Sequence, residues 1–353
     1  MDNEIVIGHH KVGVQHPPFI IAEMSGNHNH DLDRAFAIVD AAAEAGVHAL
    51  KLQTYTADTI TFNSTNPEFL IDNPKSLWYG KNLYELYQEA YTPWEWHGPI
   101  FERARSQGLV VFSSPFDETA VDFLEDLDAP AYKVASFENV HVPLLRKIAE
   151  TGKPVIVSTG ASTLADIELA VSTLRESGCK NYVLLKCTSS YPATPENTNI
   201  LTIPDLAERF DCIAGLSDHT LGIGVALASV SLGARVIEKH ITMSRAEGGV
   251  DAAFSMEPHE FKSLVEESNR AFEALGNVFY GVTEAEKESL KHKRSIYVVK
   301  DVMPGDLISP VNIKVIRPAN GLPPVMFDQV IGKQFIKPVK AGTALTLDVI
   351  NEK

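Results

Sequence analysis

Six charged or imidazole side chains stand at or beside the ends of short apolar runs: Glu23, Lys51, Lys133, His219, Glu238 and His240. Each would be costly to bury unless a ligand or an opposite charge answers it. Two imidazoles ending neighbouring strands can reach one ion, and neutral imidazole is the commonest nitrogen ligand. With only His219 and His240 and oxygen-rich surroundings, positions stay open for water and substrate. That suits a Lewis-acid divalent cation such as Mn²⁺ or Mg²⁺ better than a closed structural zinc site. Lys51 and Lys133, with Ser114, Ser136, Ser158, Ser189 and Ser217, form a set of cations and short donors suited to a phosphate and a carboxylate. The bland alternatives are structural ion pairs, core or capping histidines, and turn serines.

The elements that must position these groups are strands of a parallel sheet. β-Branched runs occupy Phe19 to Glu23, Ala49 to Gln53, Leu109 to Ser113, Ala131 to Val134, Pro154 to Ser158, Tyr182 to Cys187, Cys212 to Ser217 and Val236 to His240. Between them lie stretches of helical periodicity, such as Leu32 to Ala45, Ser162 to Glu176 and Thr220 to Leu232, which is the rhythm of βαβ units. Eight runs predict an α/β fold of the (β/α)8 TIM-barrel type. A doubly wound open sheet is the rival, but no glycine-rich nucleotide loop follows the first run. The polar groups then gather at the C-terminal ends of the strands, the catalytic face of a barrel. Side-chain alternation turns Lys51 and Gln53 inward together, and likewise Glu238 and His240.

At 353 residues the chain exceeds a barrel of about 250 residues, leaving room for a small appendage. Residues 1–282 read as the barrel, 283–293 as a charged linker, and 294–353 as a β-rich module with strands at Ser295 to Val299, Ile313 to Ile316 and Gln334 to Ile336. Thr54 to Trp96 is a long insertion after the second strand, holding Trp78, Tyr79, Tyr84, Tyr87, Tyr91, Trp94 and Trp96. It should overhang the barrel mouth. The net charge of −15 argues against nucleic acid or an anionic membrane as partner. Nothing in the sequence looks like a signal peptide or a membrane span, and Cys179, Cys187 and Cys212 have no CxxC spacing, so a cytoplasmic location is expected.

With these residues in view, the blocks Glu23-Met24-Ser25-Gly26-Asn27-His28, Lys51-Leu52-Gln53, Ser114-Pro115-Phe116-Asp117, Tyr132-Lys133-Val134-Ala135-Ser136, Ser158-Thr159-Gly160, Cys187-Thr188-Ser189, Ser217-Asp218-His219-Thr220 and Glu238-Lys239-His240 resemble, in order, those of the sialic acid synthase family. The stretch around Arg317-Pro318-Ala319-Asn320-Gly321-Leu322 is similar to the antifreeze-like (SAF, β-clip) domain that follows the barrel there. Gly248 to Ser255 and Trp78 to Trp96 look most like the branch of the family that makes pseudaminic acid.

The resemblance implies a condensation of phosphoenolpyruvate with an amino sugar, aided by a divalent metal, Mn²⁺ with Mg²⁺ or Co²⁺ as alternatives. Glu23, His219 and His240 would be catalytic, the two histidines holding the metal. Lys51, Lys133 and Ser114 would take the carboxylate, and Ser136, Ser158, Ser189 and Ser217 the phosphate. Gln53, Glu138, Tyr191 and Asp251 match sugar-binding positions, Phe254 offers an apolar wall, and Arg317 would reach into the barrel of a second subunit in a domain-swapped homodimer. Neuraminic or legionaminic acid synthesis, another phosphoenolpyruvate-using barrel acting on a phosphosugar, and a non-catalytic carbohydrate- or ice-binding protein are the competing expectations.

Overall fold

The computed structural model describes residues 4–351, which divide into two units, one up to Gly276 and one from Asn277. The first unit opens with an antiparallel hairpin, β1 (Glu4–Ile7) and β2 (His10–Gly13), which was not among the expected strands. Gly8 makes its turn with φ +61°, and a Cβ there would stand 2.6 Å from Val110 Cγ2, so the turn needs glycine for both conformation and space.

Eight parallel strands follow: β3 (Phe19–Glu23), β4 (Ala49–Thr54), β5 (Val110–Pro115), β6 (Tyr132–Val134), β7 (Val155–Ser158), β8 (Tyr182–Cys187), β9 (Ile213–Ser217) and β10 (Val236–His240). They close into a barrel, with β10 paired to β3. Outward residues such as Ile20, Leu50, Val111, Val157, Leu184 and Ile237 join the main apolar cluster with the surrounding helices. Inward residues near the strand starts, including Phe19, Ile21, Phe112, Ile156, Leu185 and Val236, form a second cluster with Ile5, Ile7 and Val12 of the hairpin. Strands covered on both faces read as continuous apolar runs. One step higher on the same inward faces the side chains turn polar: Glu23, Lys51, Ser114, Lys133, Ser158, Ser217 and Glu238, all buried.

The helices obey local rules. Leu32–Glu44 starts at Asp31, whose carboxylate accepts from the Asp33 and Arg34 amides, and buries Ala35, Ile38, Val39 and Ala42 at i, i+3, i+4, i+7 spacing. Leu164–Glu176 opens with a Thr163/Asp166 capping box. The helix expected from Thr220 begins only at Gly224, because Thr220 is tied into hydrogen bonds with Asp218.

The expected insertion resolves into the helices Ala57–Ile60 and Leu83–Ala90 with intervening turns. Trp94 and Trp96 belong to the next barrel helix, Trp94–Ser106.

The second unit holds a 3-10 helix at Glu284–His292, within the segment read as linker, and a hairpin of β11 (Ser295–Val298) and β12 (Ile313–Ile316). Its own core includes Ile296, Val298, Ile308, Phe335 and Leu345. Gln334 to Ile336 pairs only through isolated bridges, Leu307 with Gln334 and Phe335 with Ile350, rather than as a strand.

Candidate active site

At the centre of the polar layer Lys51 Nζ lies 2.8 Å from Glu23 Oε2 and 3.5 Å from Glu238 Oε1, and donates to Ser114 Oγ at 3.2 Å. Lys133 Nζ donates to Ser158 Oγ at 2.7 Å and stands 3.8 Å from Glu238 Oε1, which also accepts from Ser217. The cations therefore form two stations, Lys51 with Ser114 and Lys133 with Ser158, bridged by Glu238. Glu238, singled out in the sequence as a strand-end charge, was the clearest of these residues to be left without an assigned role. Its signal was available, since it sits two residues before His240 on one strand face.

The two glutamates are pushed in opposite directions. Burial, reinforced by Glu238, raises the Glu23 pKa above the ordinary value despite Lys51. For Glu238 burial acts the same way, but Lys133 and Lys51 outweigh it and hold the carboxylate below its ordinary value. Carboxyls separated in this way are candidates for different proton roles. Gln53 Nε2 orients Glu23, donating to its Oε1 at 2.9 Å and to Ser25 Oγ at 3.2 Å. Ser25 in turn donates to Asp251.

A second group of donors meets where β7 and β8 end. Ser136 Oγ donates to Cys187 Sγ at 3.3 Å and accepts from the Gly160 amide at 3.2 Å, while Ser189 Oγ lies 3.8 Å from the same sulfur. A Cβ on Gly160 would stand 2.6 Å from Ser136 Oγ and 3.1 Å from Cys187 Sγ, so only glycine leaves this corner open. Gly160 and Cys187 were present in the motifs, but nothing local marked them as neighbours.

The imidazoles of His219 and His240 face one another with ring centroids 5.3 Å apart. His219 Nδ1 donates to the Thr188 carbonyl at 3.0 Å, which in the neutral ring leaves the lone pair on Nε2. His240 Nδ1 is buried without a hydrogen-bond partner, 3.8 Å from Asp251 Oδ2. Burial, with His219 and Lys51 nearby, drives the His240 pKa well below its ordinary value, so this ring is neutral. For His219 burial acts likewise, but the Cys187 sulfur and the Thr188 carbonyl outweigh it and raise the value. A neutral ring with an orphaned nitrogen beside a second, carbonyl-oriented imidazole fits a divalent cation. No group of three or more His, Cys, Asp or Glu among the described residues is arranged to hold one, so water and substrate would complete its coordination. Phe254 packs edge-on to both rings, and Tyr191 to His219 at 4.6 Å.

Above the histidines opens a cavity of about 430 Å³ whose lining includes Ser25, Gln53, Ser136, Glu138, Tyr191, His240 and Asp251. Burial pushes the Glu138 carboxyl up to about 7, and its Oε2 has no partner. The insertion adds Ile60, Ile71, Trp78, Leu83, Leu86, Tyr87 and Ala90 to the lining, and Tyr55, Phe116, Ala135, Phe137 and Val250 contribute further apolar surface. Of the seven aromatics noted there, only Trp78 and Tyr87 line the cavity. Trp94 stacks on Phe123, and Trp96 packs against the barrel core. All the expected site residues of the first unit thus converge on one end of the barrel. Arg317 lies in the second unit, just after β12.

The NeuB family matches residues 38–280, and the SAF domain matches residues 293–350. The chain belongs to the NeuB family. It holds an eight-stranded barrel and a SAF domain in one chain; the family's sugar acid synthases condense phosphoenolpyruvate and are generally metal-dependent. It is 42% identical over 335 residues to pseudaminic acid synthase of Helicobacter pylori, covering 95% of this chain and 98% of that one. It is 36% identical to N,N'-diacetyllegionaminic acid synthase of Legionella pneumophila, covering 93% of each. The crystal structure of N-acetylneuraminic acid synthetase from Leptospira borgpetersenii, in complex with citrate, superposes with a TM-score of 0.73 at 32% identity, covering 82% of this chain and 96% of that one.

Proposed function

We propose that this chain is a pseudaminic acid synthase, condensing phosphoenolpyruvate with 2,4-diacetamido-2,4,6-trideoxy-L-altrose to give the nine-carbon sugar acid and phosphate. The observation that carries the reading is the pair of buried lysines, Lys51 3% and Lys133 2% exposed, set one layer below the two facing imidazoles. Such an arrangement suits a dianionic enol ester held beneath an aldehyde.

Lys51 and Ser114 would hold the carboxylate. Lys133 and Ser158, joined by Ser217, Ser136, Ser189 and the Gly160 amide, would hold the phosphate, which moves Lys133 from the carboxylate set to the phosphate set. Held in this way, the enol C3 lies beside the sugar's C1 at high effective molarity. A divalent cation on His219 and His240, Mn²⁺ in our reading, supplies Lewis-acid polarisation of the aldehyde when bound.

The C3–C1 bond forms as the aldehyde π pair moves onto its oxygen, which takes a proton from solvent to become a hydroxyl, and positive character is left at C2. Water adds there and gives its proton to Glu23, which Gln53 keeps oriented. The tetrahedral centre then expels phosphate by cleavage of the C–O bond, leaving the 2-keto acid. Lys133 and its serines stabilise the departing charge. Gln53, Glu138, Tyr191 and Asp251 would bind the sugar. Arg317 from a second copy would complete that site in a domain-swapped homodimer.

A cytoplasmic location is in keeping with three unpaired cysteines. No helix among the described residues is long and apolar enough to cross a membrane. Legionaminic or neuraminic acid synthesis by the same chemistry is the second reading, favoured by the Legionella relative.

Incubation with Mn²⁺, a panel of hexosamines and phosphoenolpyruvate carrying ¹⁸O at the bridging position tests the proposal. A nine-carbon acid should be seen by mass, with the label in the released phosphate. Label retained in the acid, or no acid with any sugar, would overturn it.

A further inference from the structure

The helix Leu83–Ala90 bears apolar side chains at 83, 86, 87 and 90, the i, i+3, i+4, i+7 spacing of one helical face. On a surface helix that stripe normally seals against the core. Here Leu83, Leu86, Tyr87 and Ala90 line the cavity above the histidines, and Ile60 and Ile71 of the same insertion extend the wall. The indole N–H of Trp78 is already spent on the Val250 carbonyl at 3.0 Å, so Trp78 offers this cavity no donor. The Tyr87 hydroxyl is the one polar side-chain atom that the helix face brings. The same cavity takes its charge and amide capacity from Gln53, Glu138 and Asp251, and Phe116 and Phe137 add apolar surface beside them.

A cavity that joins the polar groups at the strand ends to an apolar helix face suits a ligand that carries both kinds of surface. The aldehyde carbon of an open-chain sugar must lie at the His240 end for the chemistry proposed above. Its sixth carbon, farthest along the chain, then points toward the insertion that overhangs the mouth. A hydroxymethyl group there would lose water without gaining a partner from leucine or isoleucine. A methyl group would gain contact area instead.

We propose that the inward face of the helix Leu83–Ala90, together with Ile71, is the element that determines specificity at the sugar's C6 end, accepting a methyl and rejecting a hydroxymethyl. This rests on the condensation reading and adds to it the residues that choose among sugars.

The test uses two 2,4-diacetamido sugars that differ only at C6, one with methyl and one with hydroxymethyl, each with phosphoenolpyruvate and Mn²⁺. Apolar pockets reject an added hydroxyl by roughly 10- to 100-fold, so kcat/KM for the unaltered chain should favour the methyl sugar by about that factor. Leu83→Asn and, separately, Ile71→Asn should each bring the ratio down toward one, with KM for phosphoenolpyruvate unchanged. Ile71 lies outside any helix or strand, so its variant reports even if Leu83→Asn fails to fold. An unchanged ratio in a folded variant, or no preference in the unaltered chain, overturns the proposal. Absence of turnover with either sugar is a different result: it removes the condensation reading, and this inference with it.

Discussion

Lys239 Nζ lies 2.7 Å from Asp218 Oδ2, and each of these residues is the sequence neighbour of a site histidine, His240 and His219. Both are buried on the outer side of the barrel wall, and Lys239 also donates to the Thr220 carbonyl at 2.7 Å. The Asp218 carboxylate accepts from the Thr220 amide and hydroxyl, so every partner in the knot is satisfied. Lys239 and His240 are neighbours in β10 and so point to opposite faces, which lets the clamp fix the His240 imidazole, while Asp218 anchors the turn after β9 that carries His219.

Removing one member of such a pair strands the other charge, which costs about 3–5 kcal/mol. Lys239→Met should therefore lower the unfolding free energy by roughly that amount, measured by urea titration. The double variant with Asp218→Asn should lose less than the sum of the two single losses. Strict additivity would show that the two side chains do not work as a unit.

Lys51→Met removes the cation shared by Glu23 and Glu238. The loss of a preorganised electrostatic partner for the bound carboxylate should reduce kcat/KM for phosphoenolpyruvate by about 10²- to 10³-fold. Glu23→Gln should lower kcat by on the order of 10² or more while leaving the KM for phosphoenolpyruvate nearly unchanged, as expected when a proton acceptor is lost without a binding contact. Steady-state kinetics on both variants separate the two roles, and a Glu23→Gln effect confined to KM would contradict the assignment.

Glu138 should write a pH dependence on stability. Its folded value is raised from 4.5 to about 7, so the folded chain binds more protons than the unfolded chain between those limits. The contribution is present in full below pH 4.5 and is lost as pH rises toward 7. Relative to Glu138→Gln, the unaltered chain should thus become less stable across that window. Parallel stability curves for the two proteins from pH 4.5 to 7 would show that Glu138 ionises freely in the folded state.

Chelation should abolish product formation, and a divalent cation should restore it. His240→Ala should weaken Mn²⁺ binding in a calorimetric titration by at least tenfold, on the order of what even outer-shell partners contribute. Retention of full affinity would place the ion elsewhere.

The barrel strands were legible because both faces are covered and nearly every run ends in or beside a polar residue, as at Lys51 and Gln53 or Glu238 and His240. The same alternation turned Lys51 with Gln53, and Glu238 with His240, toward the barrel interior without any tertiary information, while Glu138, Tyr191 and Asp251 entered only through the family resemblance. The β1 and β2 hairpin was not read, although Ile5 and Ile7 alternate with exposed Glu4 and Val6, because four residues are too short a window for period two to stand out. The role of Leu83, Leu86 and Tyr87 was hidden for a different reason. Helical periodicity reveals that a stripe exists but not whether it meets a core or a ligand. Close approaches such as Gly160 to Ser136 depend on loops distant in sequence, which no local pattern encodes. Gln334 to Ile336 read as a strand because its composition fits one, yet it joins its neighbours one bridge at a time.

The apolar stopper of Ile5, Ile7 and Val12 beneath the barrel has a consequence for traffic. A cylinder sealed below has a single doorway, and Lys51 and Lys133 sit deeper behind it than the groups that line the upper cavity. Under the proposed reaction, cargo destined for the lysines would arrive before a sugar blocks the passage, and phosphate, lodged at the back, would wait until the long new acid has moved aside. The architecture would then impose a queue: first in, last out.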